Sequence, residues 1–197
     1  MCQGVLSKFC NSSGGQVKKQ VHLPPEQAGQ DPWSSLPEPV LPGLEQPYGI
    51  LVTGIGGTGV LTVGALIGMA AHLEGNGCSV LDFAGLAQKN GAVESHIRIA
   101  REPNQLKAVR LSPGGAHLIL GCDLVVTVGT EALSVIEPRS TEVVVNSDLQ
   151  PTAAFVGNPD LDFNLPDMYG RIREALGDKT FDVVDATALA TALVGTA

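Results

Sequence analysis

A glycine-rich segment at residues 54–59 has the residue types that bind phosphate groups through the backbone. It reads G-x-G-x-x-G, follows an apolar run and precedes a helical pattern, which is the usual setting of dinucleotide-binding turns. Glycine allows a tight turn and close approach of a ligand, and the first turn of the helix adds positive potential. The segment therefore predicts an anion-binding site formed by Gly54, Gly56, Gly57, Thr58 and Gly59.

Asp82 leaves the identity of that ligand open. It stands near the end of the second predicted strand, where dinucleotide-binding folds place the carboxylate that holds a ribose hydroxyl. The glycines alone are equally compatible with a different anionic ligand, or with close packing against a neighbouring domain. Three interpretations thus remain: an NAD site, a site for another anion, and a scaffold or interface without a ligand.

A second polar group lies in the loop that follows the second predicted strand. Gln88, Lys89 and Asn90 offer donors to a carboxylate or phosphate, or to a facing domain. In open α/β sheets, loops at the carboxyl ends of strands line the ligand site. We therefore predict that these three residues form a substrate or interface loop. His96 and Arg98 alternate on the next strand and are interpreted as a partly buried, hydrogen-bonded pair.

Other catalytic and metal-binding patterns are not found in the sequence. The four histidines have no helical ligand spacing, and neither a G-x-S-x-G elbow nor a Walker lysine is present. The four cysteines are scattered, without a C-x-x-C pair, so Cys78 and Cys122 are expected to be inert core thiols. We predict no catalytic residue, no metal site and no resident cofactor in this chain.

The elements that position these residues alternate between strands and helices. The patterns predict strands at 49–53, 78–83, 95–101, 124–128, 143–146 and 181–185, and helices at 58–74, 130–136, 167–176 and 186–194. This alternation predicts an α/β, Rossmann-like, doubly wound fold with a mostly parallel sheet and helices on both faces.

Composition sets the limits of the chain's partners and organisation. With 197 residues, 44% of them hydrophobic, the chain can bury one sizeable core, and its net charge of −8 disfavours nucleic acid or an anionic membrane as a partner. Residues 21–47 are rich in proline and predict a linker, residues 1–20 are interpreted as the end of a preceding domain, and residues 48–197 form the main domain. Neither a signal peptide nor a membrane span is evident, which predicts a cytoplasmic protein.

Several of these segments together resemble one known family. The stretches 52–60, 85–89 leading into 95–100, 120–126, 158–163 and 184–190 are similar to the gamma module of the fused indolepyruvate:ferredoxin oxidoreductases, within the 2-oxoacid:ferredoxin oxidoreductase family. The resemblance covers residues 37–197. It implies a truncated gamma module, because the family continues beyond this last segment.

The resemblance implies a role in the oxidative decarboxylation of arylpyruvates. Members of this family use thiamine diphosphate with Mg2+ and 4Fe-4S clusters, pass electrons to ferredoxin and employ coenzyme A as acyl acceptor. This sequence has neither the Gly-Asp-Gly motif of a thiamine site nor clustered cysteines. The chemistry is therefore expected on thiamine-binding domains of the same or a partner chain, in an enzyme that is a homo-oligomer as a whole, and the fragment alone is expected to be inactive.

Overall fold

The computed structural model describes residues 37–85, 91–149, 164–177 and 179–194. The strands are β1 (Tyr48–Ile55), β2 (Gly77–Ala84), β3 (Ala92–Ala100), β4 (Leu118–Gly121), β5 (Glu142–Asn146) and β6 (Asp182–Val184). The helices are α1 (Val60–Leu73), α2 (Leu124–Thr127), α3 (Thr130–Ser134), α4 (Leu165–Leu176) and α5 (Ala186–Val194), with a 3-10 helix at Pro103–Gln105.

The six strands form one mixed sheet in the order β2-β3-β1-β4-β5-β6. β1, β4, β5 and β6 run parallel, whereas β3 is antiparallel to both β1 and β2. Three of the five pairings are therefore parallel, which confirms the predicted fold class. The antiparallel pairs follow from the short β2–β3 connection, because parallel neighbours would need a longer crossover.

Helices cover both faces of the sheet, and β1 separates two cores. Ile50 and Val52 point towards α1 and join one apolar cluster. Leu51 points to the other face, where it joins the larger cluster that contains residues of α2, α3 and α4. All three side chains are buried, as is expected of a central strand with helices on both faces.

One predicted strand is wrong. Residues 124–128 were expected to be extended because Val125, Val126 and Val128 are β-branched, but the segment forms α2 instead. The Asp123 side chain accepts a hydrogen bond from the Val126 amide at 3.0 Å and caps this short helix. The strand of this unit is β4, six residues earlier, and its carboxyl end leads directly into the cap.

The other predicted elements are present, with shifts of a few residues at their ends. Residues 37–47 have no helix or strand, which is compatible with the expected linker; residues 1–36 lie outside the described residues. Among the residues that the structure describes, every helix is too short or too polar to traverse a lipid bilayer.

Candidate functional site

The glycine-rich turn connects the carboxyl end of β1 to α1. Gly57 and Gly59 have φ angles of 104° and 81°, a region that favours glycine, and Gly59 is the residue that precedes the helix. Thr58 holds the turn closed because its amide and its hydroxyl both donate to the Ile55 carbonyl, at 3.1 and 2.8 Å. The backbone of the turn is thereby fixed with its outer side towards solvent.

The amino end of α1 carries positive potential that no acidic residue of its own first turn offsets. The helix has no side-chain cap and no acidic residue in its first turn. Helix N-terminal amides without intrahelical partners and the helix dipole together favour an anion at such a position. With 14 residues, α1 is long enough to develop the partial positive charge typical of a helix amino end.

This helix end opens into a cavity of about 860 Å³ at the carboxyl edge of the parallel strands. Its lining consists of Ile55, Gly56, Gly57, Thr58, Gly59, Leu120, Gly121, Cys122, Val144, Val145, Asn146, Val184, Ala186, Thr187 and Ala190. None of these lining residues is acidic or basic, so the amino end of α1 is their main source of positive electrostatic potential. Four of the five residues predicted for the site line this cavity.

Gly54, the fifth, lies behind the turn and is not in the lining. A Cβ atom at this position would collide with the Thr58 hydroxyl and lie 2.7 Å from a methyl group of Val60. The absence of a side chain therefore lets the turn fold back onto the end of β1. Gly54 therefore contributes to the shape of the turn and does not itself line the cavity.

Asn146 builds the opposite wall of the cavity. Its amide group donates to the Cys122 carbonyl at 3.4 Å and to the Thr187 hydroxyl at 3.3 Å. Its side-chain oxygen accepts from the Ala186 amide at 3.0 Å and from the Asp148 amide at 3.3 Å. One side chain thus joins the end of β5, the segment after β4 and the first turn of α5.

Cys122 lies between the two walls. It is a free, half-buried cysteine whose Cβ lies near Gly54, so it is less enclosed than the core thiol expected from the sequence. Burial raises the pKa of the Cys122 thiol above its ordinary value, and the nearby Asp123 carboxylate raises it further. The thiol is therefore protonated at neutral pH and contributes an uncharged surface.

The predicted loop residues Gln88, Lys89 and Asn90 lie outside the described residues. The two ends of their loop are described, and both lie at the same edge of the sheet as the glycine turn. Gly85 donates to the Ala92 carbonyl at 2.8 Å, and Gly56 donates to the Gly91 carbonyl at 3.0 Å. The β2–β3 hairpin is thereby joined to the glycine turn by a main-chain hydrogen bond.

The sequence model of the pyruvate ferredoxin/flavodoxin oxidoreductase family matches residues 49–197. The chain belongs to this family. The relationship expected from residues 52–60 and 120–126 is thereby confirmed. The match begins one residue after the start of β1 and includes every element that lines the cavity.

Relatives in the pyruvate ferredoxin/flavodoxin oxidoreductase family include subunits named indolepyruvate oxidoreductase subunit IorB. The subunit of Archaeoglobus fulgidus is 34% identical over 74 residues, which are 38% of this chain and 35% of the relative. The subunit of Methanothermobacter thermautotrophicus is 27% identical over 114 residues, which are 57% of this chain and 54% of the relative. The chain therefore spans about a third to a half of these curated relatives.

A solved structure has a similar fold. Pyruvate oxidoreductase subunit PORC of Thermotoga maritima superimposes with a TM-score of 0.51 at 16% identity, over 75% of this chain and 67% of that chain. At this identity the likeness supports the α/β architecture alone.

The position of Asp82 in this family member disfavours the NAD interpretation. Dinucleotide-binding folds place the ribose carboxylate on the parallel strand next to β1. Here β3 occupies that place, and Asp82 is exposed on β2, at the edge of the sheet. The carboxylate is thus one strand further from the glycine turn than the motif spacing suggests.

His96 lies on the face of the sheet opposite α1. It is buried, its Nδ1 accepts from the Leu111 amide at 3.3 Å, and its Nε2 lies 3.6 Å from a carboxylate oxygen of Glu94. Arg98, its partner in the sequence interpretation, is partly buried, as expected. His96 therefore holds the loop before β4 against the sheet, away from the cavity.

Sequence reasoning missed Asn146, Thr187 and the exposure of Cys122. Each residue stands directly after a strand or at the start of a helix, which is the signal that could have identified it. Within the described residues, no group of three or more His, Cys, Asp or Glu side chains is placed to hold a metal ion.

Proposed function

We propose that this chain is a gamma-type domain of an indolepyruvate:ferredoxin oxidoreductase and contributes to the oxidative decarboxylation of arylpyruvates. The family membership supports the reaction class, and the name of the IorB relatives supports the substrate class. In this proposal residues 21–47 are a linker and residues 48–197 are the domain itself.

In this proposal the glycine turn binds the anionic part of the acyl acceptor coenzyme A. The observation that carries it is the uncapped amino end of α1, which faces a cavity where the described lining residues include no charged side chain. A phosphate would accept hydrogen bonds from the amides of Gly57 and Gly59, since those of Gly56 and Thr58 already bond to main-chain carbonyls, and apolar Leu120, Val144 and Ala190 would contact an uncharged part of the ligand. Gln88, Lys89 and Asn90 supply further donors from the hairpin.

The domain binds and orients, and the covalent chemistry takes place elsewhere. Thiamine diphosphate, Mg2+ and the 4Fe-4S clusters belong to other domains of the same or a partner chain, and ferredoxin is the electron acceptor of the whole enzyme in the cytoplasm. Cys78 and Cys122 are the free cysteines of the described residues. Cys78 is the second residue of β2, whereas Cys122 directly follows the last residue of β4. Two separated thiols do not form a cluster site.

The test is a titration of the 197-residue chain with coenzyme A and with inorganic pyrophosphate by calorimetry. Thr58→Asp places a carboxylate at the amino end of α1, where it is compatible with the helix dipole but repels a bound anion. We expect this variant to lose about tenfold or more in affinity for both probes. Thr58→Ser keeps the hydroxyl that bonds the Ile55 carbonyl and should bind as the wild type does.

The alternatives give different results in the same assay. Saturable NADH binding that is lost in Asp82→Ala would support a free-standing NAD-dependent enzyme. Absence of binding to all three probes, with correctly folded protein by circular dichroism, would support a scaffold domain and contradict the proposed anion site.

A further inference from the structure

A short part of this acidic chain is basic. Residues 98–110, which we call the basic segment, contain Arg98, Arg101, Lys107 and Arg110 against one acidic residue, Glu102, whereas the whole chain has a net charge of −8. The basic segment begins in β3 and continues through the 3-10 helix into the loop before β4. Arg101, Lys107 and Arg110 are exposed, so the segment presents positive charge to its surroundings.

Most of these cations have no acidic partner of their own. Arg110 forms an ion pair with Glu131, but none of the ion pairs among the described residues includes Arg98, Arg101 or Lys107. The Glu102 carboxylate accepts a main-chain hydrogen bond and caps the 3-10 helix. The basic segment is therefore open to carboxylates from another part of the chain.

The proline-rich segment before β1 has the opposite charge. Residues 21–47 contain Glu26, Asp31, Glu38 and Glu45 and neither lysine nor arginine. They also contain Trp33, the single tryptophan of the chain, and an indole ring attracts the cations of arginine and lysine. This segment therefore offers the two kinds of side chain that the basic segment binds best.

The two segments are already joined where the proline-rich one enters the domain. The Gln105 side chain accepts a hydrogen bond from the Glu102 amide at 2.9 Å, and its amide group donates to the Glu45 carbonyl at 3.4 Å. Arg101 directly follows β3, and that end of β3 pairs with the start of β1, where Ile99 lies opposite Tyr48. Both segments thus meet at the amino end of β1.

The proline-rich segment is long enough to return to this place. Residues 37–43 are exposed, so the chain extends into solvent before Trp33 is reached. From Trp33 to Glu45 a polyproline II chain spans up to about 37 Å, at about 3.1 Å per residue. The distance from Arg101 to Lys107 is at most about 20 Å even if fully extended. Asp31 and Trp33 are therefore within reach of both cations.

We propose that the acidic, proline-rich segment binds the basic segment of the same chain, with Asp31 and Trp33 against Arg101 and Lys107. The covalent connection through residues 34–47 makes this contact intramolecular, and its high effective concentration favours it over a separate acidic partner. The contact directs the preceding part of the chain to the edge of the sheet opposite the cavity.

The test uses Trp33 as a reporter in the 197-residue chain, by acrylamide quenching of its fluorescence. We expect Arg101→Glu/Lys107→Glu to raise the quenching constant about twofold or more at low salt, because like charges release the indole into water. High salt should do the same to the wild type, a measurement that needs no variant. The matched control, Arg171→Glu/Arg173→Glu, changes the charge equally at exposed positions of α4 and should leave quenching as in the wild type.

A reversal of the acidic partner completes the experiment. Asp31→Lys alone should expose Trp33, and its combination with Arg101→Glu/Lys107→Glu should restore the protection, since the charges are then exchanged. Wild-type quenching equal to that of N-acetyltryptophanamide, or unaffected by the charge reversal, would overturn the proposal. Protection of Trp33 that increases with protein concentration would assign the contact to a second molecule and would overturn it as well.

Discussion

At the scale of single residues, Cys122 shows how the surroundings set the character of the cavity. Its thiol lines the site, yet burial and the Asp123 carboxylate both raise its pKa. Cys78 differs, because burial alone raises the pKa of its thiol. The two thiols therefore form an internal comparison for the effect of Asp123.

We predict that Asp123→Asn makes Cys122 react severalfold faster with iodoacetamide at pH 8. Removal of the negative charge lowers the pKa of the thiol and increases the thiolate fraction, while the amide oxygen can still cap the Val126 amide. Peptide mass spectrometry measures the alkylation of each cysteine separately. The rate at Cys78 should stay unchanged, and an equal increase at both cysteines would indicate general loosening instead.

At the scale of elements, the contact between α1 and the sheet depends on two glycines. A Cβ at Gly68 would lie 2.9 Å from a methyl group of Val80, and one at Gly64 would collide with the Ser95 hydroxyl. Close approach of the helix keeps its amino end, and with it the glycine turn, at the level of the cavity. The packing of this element therefore affects both stability and the proposed anion site.

We predict that Gly68→Val lowers the free energy of unfolding by about 1–3 kcal/mol, as overpacking of a tight contact does. Urea denaturation measures this change. Ala65→Val adds the same side chain to the exposed side of the same helix and should change stability by less than about 0.5 kcal/mol. Stabilisation by Gly68→Val, which is the change that helix propensity alone would give, would contradict packing against Val80 as the deciding factor.

At the scale of the whole molecule, Asn146 connects segments that are distant in the sequence. Its side chain bonds to the segment after β4 and to the first turn of α5, and α5 supplies Ala186, Thr187 and Ala190 to the cavity. The position of α5 on the sheet thus depends on polar contacts as well as on apolar packing.

We predict that Asn146→Leu destabilises the chain by about 2 kcal/mol, since three partly buried hydrogen bonds and an exposed one, of about 0.5–1 kcal/mol each, are lost. Hydrogen exchange should accelerate in α5 more than in α1. Asn76→Leu removes a partly buried asparagine whose side chain makes one long, exposed 3.5 Å contact to Glu74, and it should be nearly neutral. Uniform acceleration across the sheet would contradict a local role for Asn146.

Local signals predicted the elements well and the site only in part. The β1 strand, the glycine turn and α1 follow one another directly, so their types and spacing sufficed. Residues 124–128 misled because a short apolar run with β-branched residues suits a buried strand and a buried helix equally, and only the Asp123 cap decides between them. The sequence could not show that Asn146 and Thr187 lie at the same cavity as the glycine turn, because their proximity depends on the order of the strands in the sheet.

The walls of the cavity come from four stretches of chain, residues 55–59, 120–122, 144–146 and 184–190. During synthesis on the ribosome, the glycine turn of the proposed anion site emerges long before α5, which completes the enclosure. A nascent chain can therefore expose a positively polarised helix end but cannot retain a ligand there. A ligand can therefore occupy this cavity only in the finished fold. Because it binds the folded chain and not the unfolded one, it raises the free energy of unfolding.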